Sequence, residues 1–216
     1  MNRIILIRHC QSAHHVDTSA GSDSELTDLG RRQADAIAAR LKRKLTDMPC
    51  RLYTSDLKRA AQTAEAITQA LGLTATAAVE LREGCSAPRP NNRPEPAGPG
   101  GDARAQFLFD SRPAPEIETW REFHARVCTF MDGLADSLEP GQLPIVVTHG
   151  GTMSNIVTWW LRLPLNVLPE RTPFAASPAS ISVLRRNHYD NPVIERLNDR
   201  SHLYHAGLAD GRDIQG

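Results

Sequence analysis

The chain has 216 residues, of which 40% are hydrophobic and 23% charged, a composition typical of one soluble globular domain. We therefore predict a single domain spanning residues 1–216. Lys plus Arg and Asp plus Glu both number 25. This balance argues against a nucleic-acid partner, because nucleic-acid-binding proteins usually carry a basic excess.

Neither a secretory leader nor a membrane segment is expected. The apolar run near the start, Ile4 to Ile7, has four residues, whereas a signal peptide needs about 7–15 and a membrane helix about 18. The cysteines, at positions 10, 50, 85 and 128, form no CxxC pair. Such thiols are typical of a reducing cytosol rather than of a zinc site or disulfide framework. We expect a cytoplasmic protein without a membrane partner.

Strands and helices are predicted to alternate from the start of the chain. Short apolar runs favour strands, and four-residue apolar spacing favours helices. Thr27 and Ser55 are candidate N-caps of the first two helices, and Gly72 is a candidate stop. In chain order, the predicted strand, helix, strand, helix and strand cover residues 3–7, 27–45, 51–54, 55–71 and 74–79.

Residues 85–118 interrupt this alternation with a Pro/Gly-rich insertion. They hold seven of the fifteen prolines, together with Gly98, Gly100 and Gly101. A loop of this length in a compact domain is usually either functional or disordered. Both a surface insertion and a lid over a pocket fit this composition.

The alternation resumes after the insertion. Thr119 to Glu122 form a capping box, and apolar residues from Trp120 to Leu138 continue at helical spacing. The remaining predicted elements are a strand at 145–148, a helix after Gly150 that runs to residue 163, and a hairpin of strands 180–184 and 193–197.

This order predicts an α/β fold, a three-layer α/β/α sandwich with a mostly parallel central sheet. Ligands of such sheets bind beyond the carboxyl ends of the strands. We therefore expect one pocket to be lined by residues that follow the predicted strands: Arg8, His9, Ser55, Arg59, Glu83, His149 and Gly150.

The residue types in this set suit phosphate chemistry. Two guanidinium groups with two imidazoles bind phosphate or carboxylate oxygens strongly. A neutral imidazole is also a nucleophile that can hold a phosphoryl group, and a nearby carboxylic acid can protonate the departing oxygen. Neither GxxxxGK[ST] nor GxGxxG occurs, so a glycine cradle for a nucleotide is not expected.

Five ordered blocks extend over about residues 3 to 184. They read RHCQS at 8–12, LTDLG with QA at 26–34, SDLKRAAQTA at 55–64, LRE at 81–83 and VTHGG at 147–151. These blocks resemble the RHG(E/Q)(T/S), LTxxGxxQA, SxLxRAxQTA, acid and second-histidine motifs of the histidine phosphatase superfamily, in its phosphoglycerate-mutase-like branch. One such block would be weak evidence, but five in the same order are specific.

The resemblance implies a role for each matching residue. His9 would be the phosphorylated nucleophile and Glu83 the proton donor, with Glu80 as the alternative carboxylate. No metal and no cofactor are implied. The implied phosphate-binding residues are Arg8, His15, Arg59, His149 and Gly150.

The sequence departs from the family pattern near the nucleophile. Cys10 stands where the family usually has Gly, Gln11 replaces the commoner Glu, and His15 falls where many members have Asn. We interpret Cys10 as a packed thiol rather than a reactive one. The segment at 84–88 lacks the Arg-Tyr-Gly continuation typical of the mutases, which favours a phosphatase.

We therefore predict a metal-independent phosphatase that hydrolyses a small phosphorylated metabolite through phosphohistidine. The alternatives are a phosphoglycerate-type phosphomutase and a non-catalytic phosphate-binding protein of the same fold. A metallohydrolase built on His9, His14, His15 and Asp17 is disfavoured, because the spacing matches no standard zinc pattern and Arg8 would repel a cation. The sequence is compatible with a homodimer but does not establish one.

Overall fold

The computed structural model describes residues 1–84, 109–112, 114–168 and 172–209. Its strands are β1 Arg3–Arg8, β2 Cys50–Ser55, β3 Ala75–Ala78, β4 Leu143–Thr148, β5 Ile181–Arg186 and β6 Pro192–Asp199. The α-helices whose bounds fall within the described residues are α1 Ala13–Val16, α2 Asp28–Lys44, α3 Lys58–Leu71, α4 Trp120–Ser137, α5 Gly150–Trp160 and α6 Ser201–His205.

The strands form one six-stranded sheet in the order β3-β2-β4-β1-β5-β6. The first four strands in that order are parallel, whereas β5 is antiparallel to both β1 and β6. The predicted hairpin is the β5–β6 pair, and it extends the parallel sheet at one edge. The sheet is therefore mixed, with its parallel part at the site.

Helices cover both faces of the sheet and give it two separate cores. Ile5 and Ile7 of β1 pack in one core with α2, α3 and α6. Ile4 and Leu6, which alternate with them, pack in the other core with α4 and α5. This period of two explains why β1 is an uninterrupted apolar run, since each of its faces is buried against helices. The predicted three-layer α/β fold is confirmed.

Most helix boundaries follow local signals. Thr27 caps α2 by accepting the Gly30 N–H at 3.0 Å, and Thr119 and Glu122 form the predicted capping box of α4. Gly72 ends α3 with a left-handed φ of 66°, a conformation that glycine adopts without steric cost.

Two predicted helix ends were wrong. Ser55 is not the N-cap of α3, because it still belongs to β2 and the helix begins at Lys58. The N–H of Lys58 is instead bound at 2.8 Å by Oδ1 of Asp23, a carboxylate remote in sequence. Helix α5 ends at Trp160 rather than at residue 163, since a residue before proline disfavours helical geometry and Pro164 follows.

Most of the predicted insertion at 85–118 lies outside the described residues. Within its described part, Phe109 is buried against Leu165 and Leu168, in a small cluster that Trp120 also contacts. In the part of the chain that the structure describes, no helix is both long and apolar enough to cross a membrane.

Candidate active site

The sheet brings the two histidines of the sequence blocks together. Arg8 ends β1 beside Thr148 at the end of β4, so His9 and His149 leave neighbouring parallel strands at the same edge. Their ring centroids are 5.0 Å apart. Arg59, in the first turn of α3, reaches the same point and donates its Nε–H to His9 Nε2 at 3.1 Å.

The hydrogen bonds of His9 define where its proton lies. Its Nδ1 is 2.8 Å from the carbonyl oxygen of Cys10; a carbonyl only accepts, so Nδ1 carries the proton. Nε2 then has the lone pair that accepts from Arg59. Burial, with smaller contributions from His149, Arg8 and Arg59, lowers the pKa of His9 well below its usual range. The ring is a neutral imidazole with an unprotonated Nε2.

The loop that follows His9 is held by residues of the LTDLG–QA block. The N–H of Gln11 binds Gln33 Oε1 at 3.0 Å, and its carbonyl oxygen accepts the Thr27 N–H at 3.1 Å. A Cβ on Gly30 would stand 2.0 Å from that carbonyl oxygen, so only glycine fits. The sequence analysis had given Thr27 a capping role alone. The structure shows that this block also supports the nucleophile loop.

Cys10 turns away from the site into the core beneath α2 and α3. It is fully buried, and its N–H donates to Thr63 Oγ1 at 3.1 Å. Burial raises the pKa of its thiol to about 12. This explains how the chain accepts a side chain where the family usually has glycine, and it fits a packed, unreactive thiol.

Three further groups complete the cationic side of the pocket. Burial lowers the pKa of Arg8 and of Arg59, but both remain guanidinium ions at neutral pH. Arg8 Nε and His149 Nδ1 are buried atoms without a hydrogen-bond partner in the described residues. Gly150 opens α5 next to Arg8, and the N–H groups at a helix start attract anions.

His15 packs against the same pocket. Its ring stacks on His9 with centroids 5.2 Å apart, and its Nε2 lies 3.4 Å from Arg8 Nη2. Its Nδ1 accepts the N–H of Ser12 at 3.0 Å. The structure therefore places His15 where the sequence motif predicted a phosphate-binding side chain.

Glu83 is the carboxyl group of the pocket. It accepts N–H groups from Gly151 at 3.0 Å and from Gly84 at 3.1 Å. Burial raises its pKa, although the Gly151 hydrogen bond and the nearby Arg8 act in the opposite direction. The neighbouring Arg82 points outward, where its Nε donates to Asp56 at 2.7 Å, and so it does not neutralise Glu83.

The segment before Glu83 is fixed by side chains from β4, α4 and α5. Arg126 donates to the Glu80 carbonyl at 2.6 Å, and Thr152 donates to the Arg82 carbonyl at 3.0 Å. The Leu81 carbonyl accepts from Thr148 Oγ1 at 2.7 Å. None of these supporting contacts was identified from the sequence, because they join elements far apart in the chain.

The structure gives no support to the metallohydrolase alternative. Across residues 1–84, 109–112, 114–168 and 172–209, no three His, Cys, Asp or Glu side chains form a group that could hold a metal ion. His14 is exposed, whereas His9 is buried.

The fold and site together define an enzyme of phosphoryl transfer, in which cations and neutral imidazoles surround a nucleophilic nitrogen beside a carboxylic acid. A family model of the histidine phosphatase superfamily (branch 1) matches residues 4–200. A probable phosphoglycerate mutase, GpmB, of Yersinia pestis (strain Pestoides F) is 29% identical over 215 residues, covering 94% of this chain and 95% of that relative.

Solved structures share the fold. A mycobacterial glucosyl-3-phosphoglycerate phosphatase in complex with inorganic phosphate has a TM-score of 0.69 and 25% identity, covering 94% of this chain and 99% of that one. A phosphoserine phosphatase variant from Entamoeba histolytica, in complex with phosphoserine, has a TM-score of 0.68 and 20% identity, covering 94% and 100%.

The chain belongs to the histidine phosphatase superfamily. The predicted family, fold and enzyme class are thereby confirmed. The similar proteins include both phosphatases and a mutase, so the two activities remain to be distinguished.

Proposed function

We propose that this protein is a metal-independent phosphatase that hydrolyses a small phosphorylated metabolite through a phosphohistidine on His9. The observation that supports this most is the state of His9, a neutral imidazole whose Nδ1 binds the Cys10 carbonyl and whose Nε2 carries the lone pair. Arg59 already contacts that nitrogen, and its charge attracts the group to be attacked.

In the first step the phosphoryl group binds among Arg8, Arg59, His149, His15 and the start of α5 at Gly150. Arg59 transfers its hydrogen bond from His9 Nε2 to a phosphoryl oxygen, and Nε2 attacks phosphorus. The ester P–O bond breaks, and protonated Glu83 gives its proton to the departing alkoxide oxygen. Positioning and charge stabilisation supply most of such a reaction, and each charge-assisted hydrogen bond contributes roughly 1.5–3 kcal/mol.

In the second step the Glu83 carboxylate takes a proton from water, and the resulting hydroxide attacks the phosphorus of phosphohistidine. The N–P bond breaks, inorganic phosphate leaves, and His9 regains its lone pair on Nε2. Glu83 is protonated again, so the cycle closes without a metal or a cofactor.

A phosphoglycerate-type mutase is the second candidate, and the similarity to a probable phosphoglycerate mutase supports it. Such an enzyme would return the phosphoryl group to a second hydroxyl instead of to water. We favour hydrolysis because the segment at 84–88 lacks the Arg-Tyr-Gly continuation typical of the mutases.

The test is a screen of phosphorylated metabolites, each followed for release of inorganic phosphate and for appearance of an isomeric ester. Rapid quench with labelled substrate should give an acid-labile, alkali-stable phosphoryl group that peptide mapping assigns to His9. Chelators should leave the rate unchanged. Label that persists in His9→Ala would refute the mechanism, isomerisation without phosphate release would identify a mutase, and phosphate binding without turnover would identify a non-catalytic protein.

The substrate, a cytoplasmic location and a homodimer are not settled by these arguments. They stay predictions for the same screen, for cell fractionation and for sedimentation to decide.

A further inference from the structure

Ser55 belongs to the SDLKRAAQTA block, yet the mechanism above gives it no role. Its side chain and that of His149 are both fully buried. Ser55 Oγ lies 2.9 Å from His149 Nε2 and also accepts the N–H of Leu57 at 3.3 Å. Because Asp23 binds the first N–H of α3, Ser55 is not needed as a helix cap and its hydroxyl is available to His149.

The hydrogen bonds of this hydroxyl indicate the direction of the contact. A serine hydroxyl has one proton to donate, and a buried donor normally has an acceptor. The Leu57 N–H cannot accept a proton. Within the described residues, the acceptor against Ser55 Oγ is His149 Nε2. The hydroxyl proton therefore points to Nε2, and this nitrogen supplies the lone pair.

A neutral imidazole that is unprotonated on Nε2 carries its proton on Nδ1. Burial, reinforced by Arg59 and Arg8, lowers the pKa of His149 well below its usual range, so the ring is neutral and its tautomer decides whether it donates or accepts. Nδ1 is buried and has no hydrogen-bond partner in the described chain. It is the nitrogen that remains for a ligand beside His9.

We propose that Ser55 is a positioning residue that fixes His149 in the Nδ1–H tautomer, so that Nδ1 donates to a phosphoryl oxygen. With the opposite tautomer, Nδ1 would present a lone pair to an anion and repel it. The ligand part of this inference rests on the proposed function, whereas the tautomer is a property of the resting protein.

The tautomer can be read directly from the protein with 15N-labelled histidine. Long-range 1H–15N spectra, with His149 assigned by comparison with His149→Gln, should show a protonated Nδ1 and an unprotonated Nε2. Ser55→Ala should lose this pattern, and Ser55→Thr, which keeps the hydroxyl, should restore it. Ser154→Ala is the matched control, because Ser154 Oγ is also buried near the site but has no partner in the described residues.

Binding of inorganic phosphate, measured by calorimetry, supplies the second readout. Ser55→Ala should weaken it about tenfold, as expected for the loss of one hydrogen bond to a charged group, while Ser154→Ala leaves it unchanged. Unaltered phosphate affinity in a folded Ser55→Ala protein would overturn the role in ligand binding.

The wild-type spectrum decides the tautomer without any variant. Protonation of His149 on Nε2 would overturn the inference even if the Ser55 variants did not fold. A normal tautomer together with no phosphohistidine on His9 would instead refute the proposed phosphatase, so the two failures are distinguishable.

Discussion

Burial shifts the pKa values of His9 and Glu83 in opposite directions, and in both cases it favours the neutral form that the proposed mechanism needs. The pKa of His9 lies well below its usual range, so the nucleophile stays unprotonated in mildly acidic solution. The pKa of Glu83 is raised, so the acid keeps its proton to a higher pH than an ordinary carboxyl group. These two shifts open the pH window in which both groups are reactive.

We expect the rate of His9 phosphorylation by an alkyl phosphate to fall as pH rises through the raised pKa of Glu83. The rate should fall on the acid side only when pH drops towards the lowered pKa of His9. Single-turnover measurements across pH check this, with p-nitrophenyl phosphate as control because its leaving group needs no proton. An alkaline limb of the same position for both substrates would contradict the assignment of Glu83.

Glu83→Gln removes the proton donor while keeping the size of the side chain. General acid catalysis typically contributes 10²–10⁴-fold, so phosphohistidine formation from an alkyl phosphate should slow by about that factor. The rate with p-nitrophenyl phosphate should change much less. The measurement must be single-turnover, because hydrolysis of phosphohistidine is common to both substrates. Equal losses would mean that Glu83 only positions the substrate, and Glu80→Gln would then be the next variant to test.

The start of α5 positions the acid as well as the phosphate. A Cβ on Gly151 would stand 2.4 Å from Glu83 Oε1 and 3.2 Å from the Trp120 ring, so Gly151→Ala must displace the carboxyl group. We expect the loss to follow that of Glu83→Gln, larger for alkyl than for nitrophenyl phosphate. Gly133→Ala in α4 is the control. A Cβ there meets nothing within 4 Å, and the change should stabilise the helix by about 0.5–1 kcal/mol at unchanged activity.

Which features the sequence reveals depends on how local their signals are. The alternating core of β1, the caps at Thr27 and Thr119, and the placement of His9 and His149 at neighbouring strand ends follow from patterns a few residues long. The cap that Asp23 gives to α3 and the clamp that Arg126 places on the acid segment join distant parts of the chain. A single sequence carries no local signal for such contacts.

Two guanidinium groups held close together in a buried pocket repel each other, and a bound anion relieves this repulsion. Arg8 and Arg59 are near enough for the charge of Arg59 to lower the pKa of Arg8. Inorganic phosphate should therefore raise the melting temperature, since saturation to 100 times the dissociation constant stabilises a fold by about 2.7 kcal/mol. Thermal scans with and without phosphate measure this.

Arg59→Ala should reduce the phosphate-dependent increase in melting temperature. Arg31→Ala, which removes an exposed ion pair with Glu25, should leave it unchanged. An equal increase in all three proteins would show that phosphate acts away from this pocket.

The hydrogen bond from Arg59 Nε to His9 Nε2 has a consequence for chemical selectivity. It occupies the lone pair that performs the attack, so the resting enzyme shields its own nucleophile. A phosphate ester draws the guanidinium away by its charge, whereas an uncharged electrophile has no means of doing so. A neutral acylating reagent should accordingly modify His9 more slowly in the wild-type protein than in Arg59→Ala. The side chain that recruits the anion thus also protects the enzyme from wasteful alkylation and acylation between turnovers.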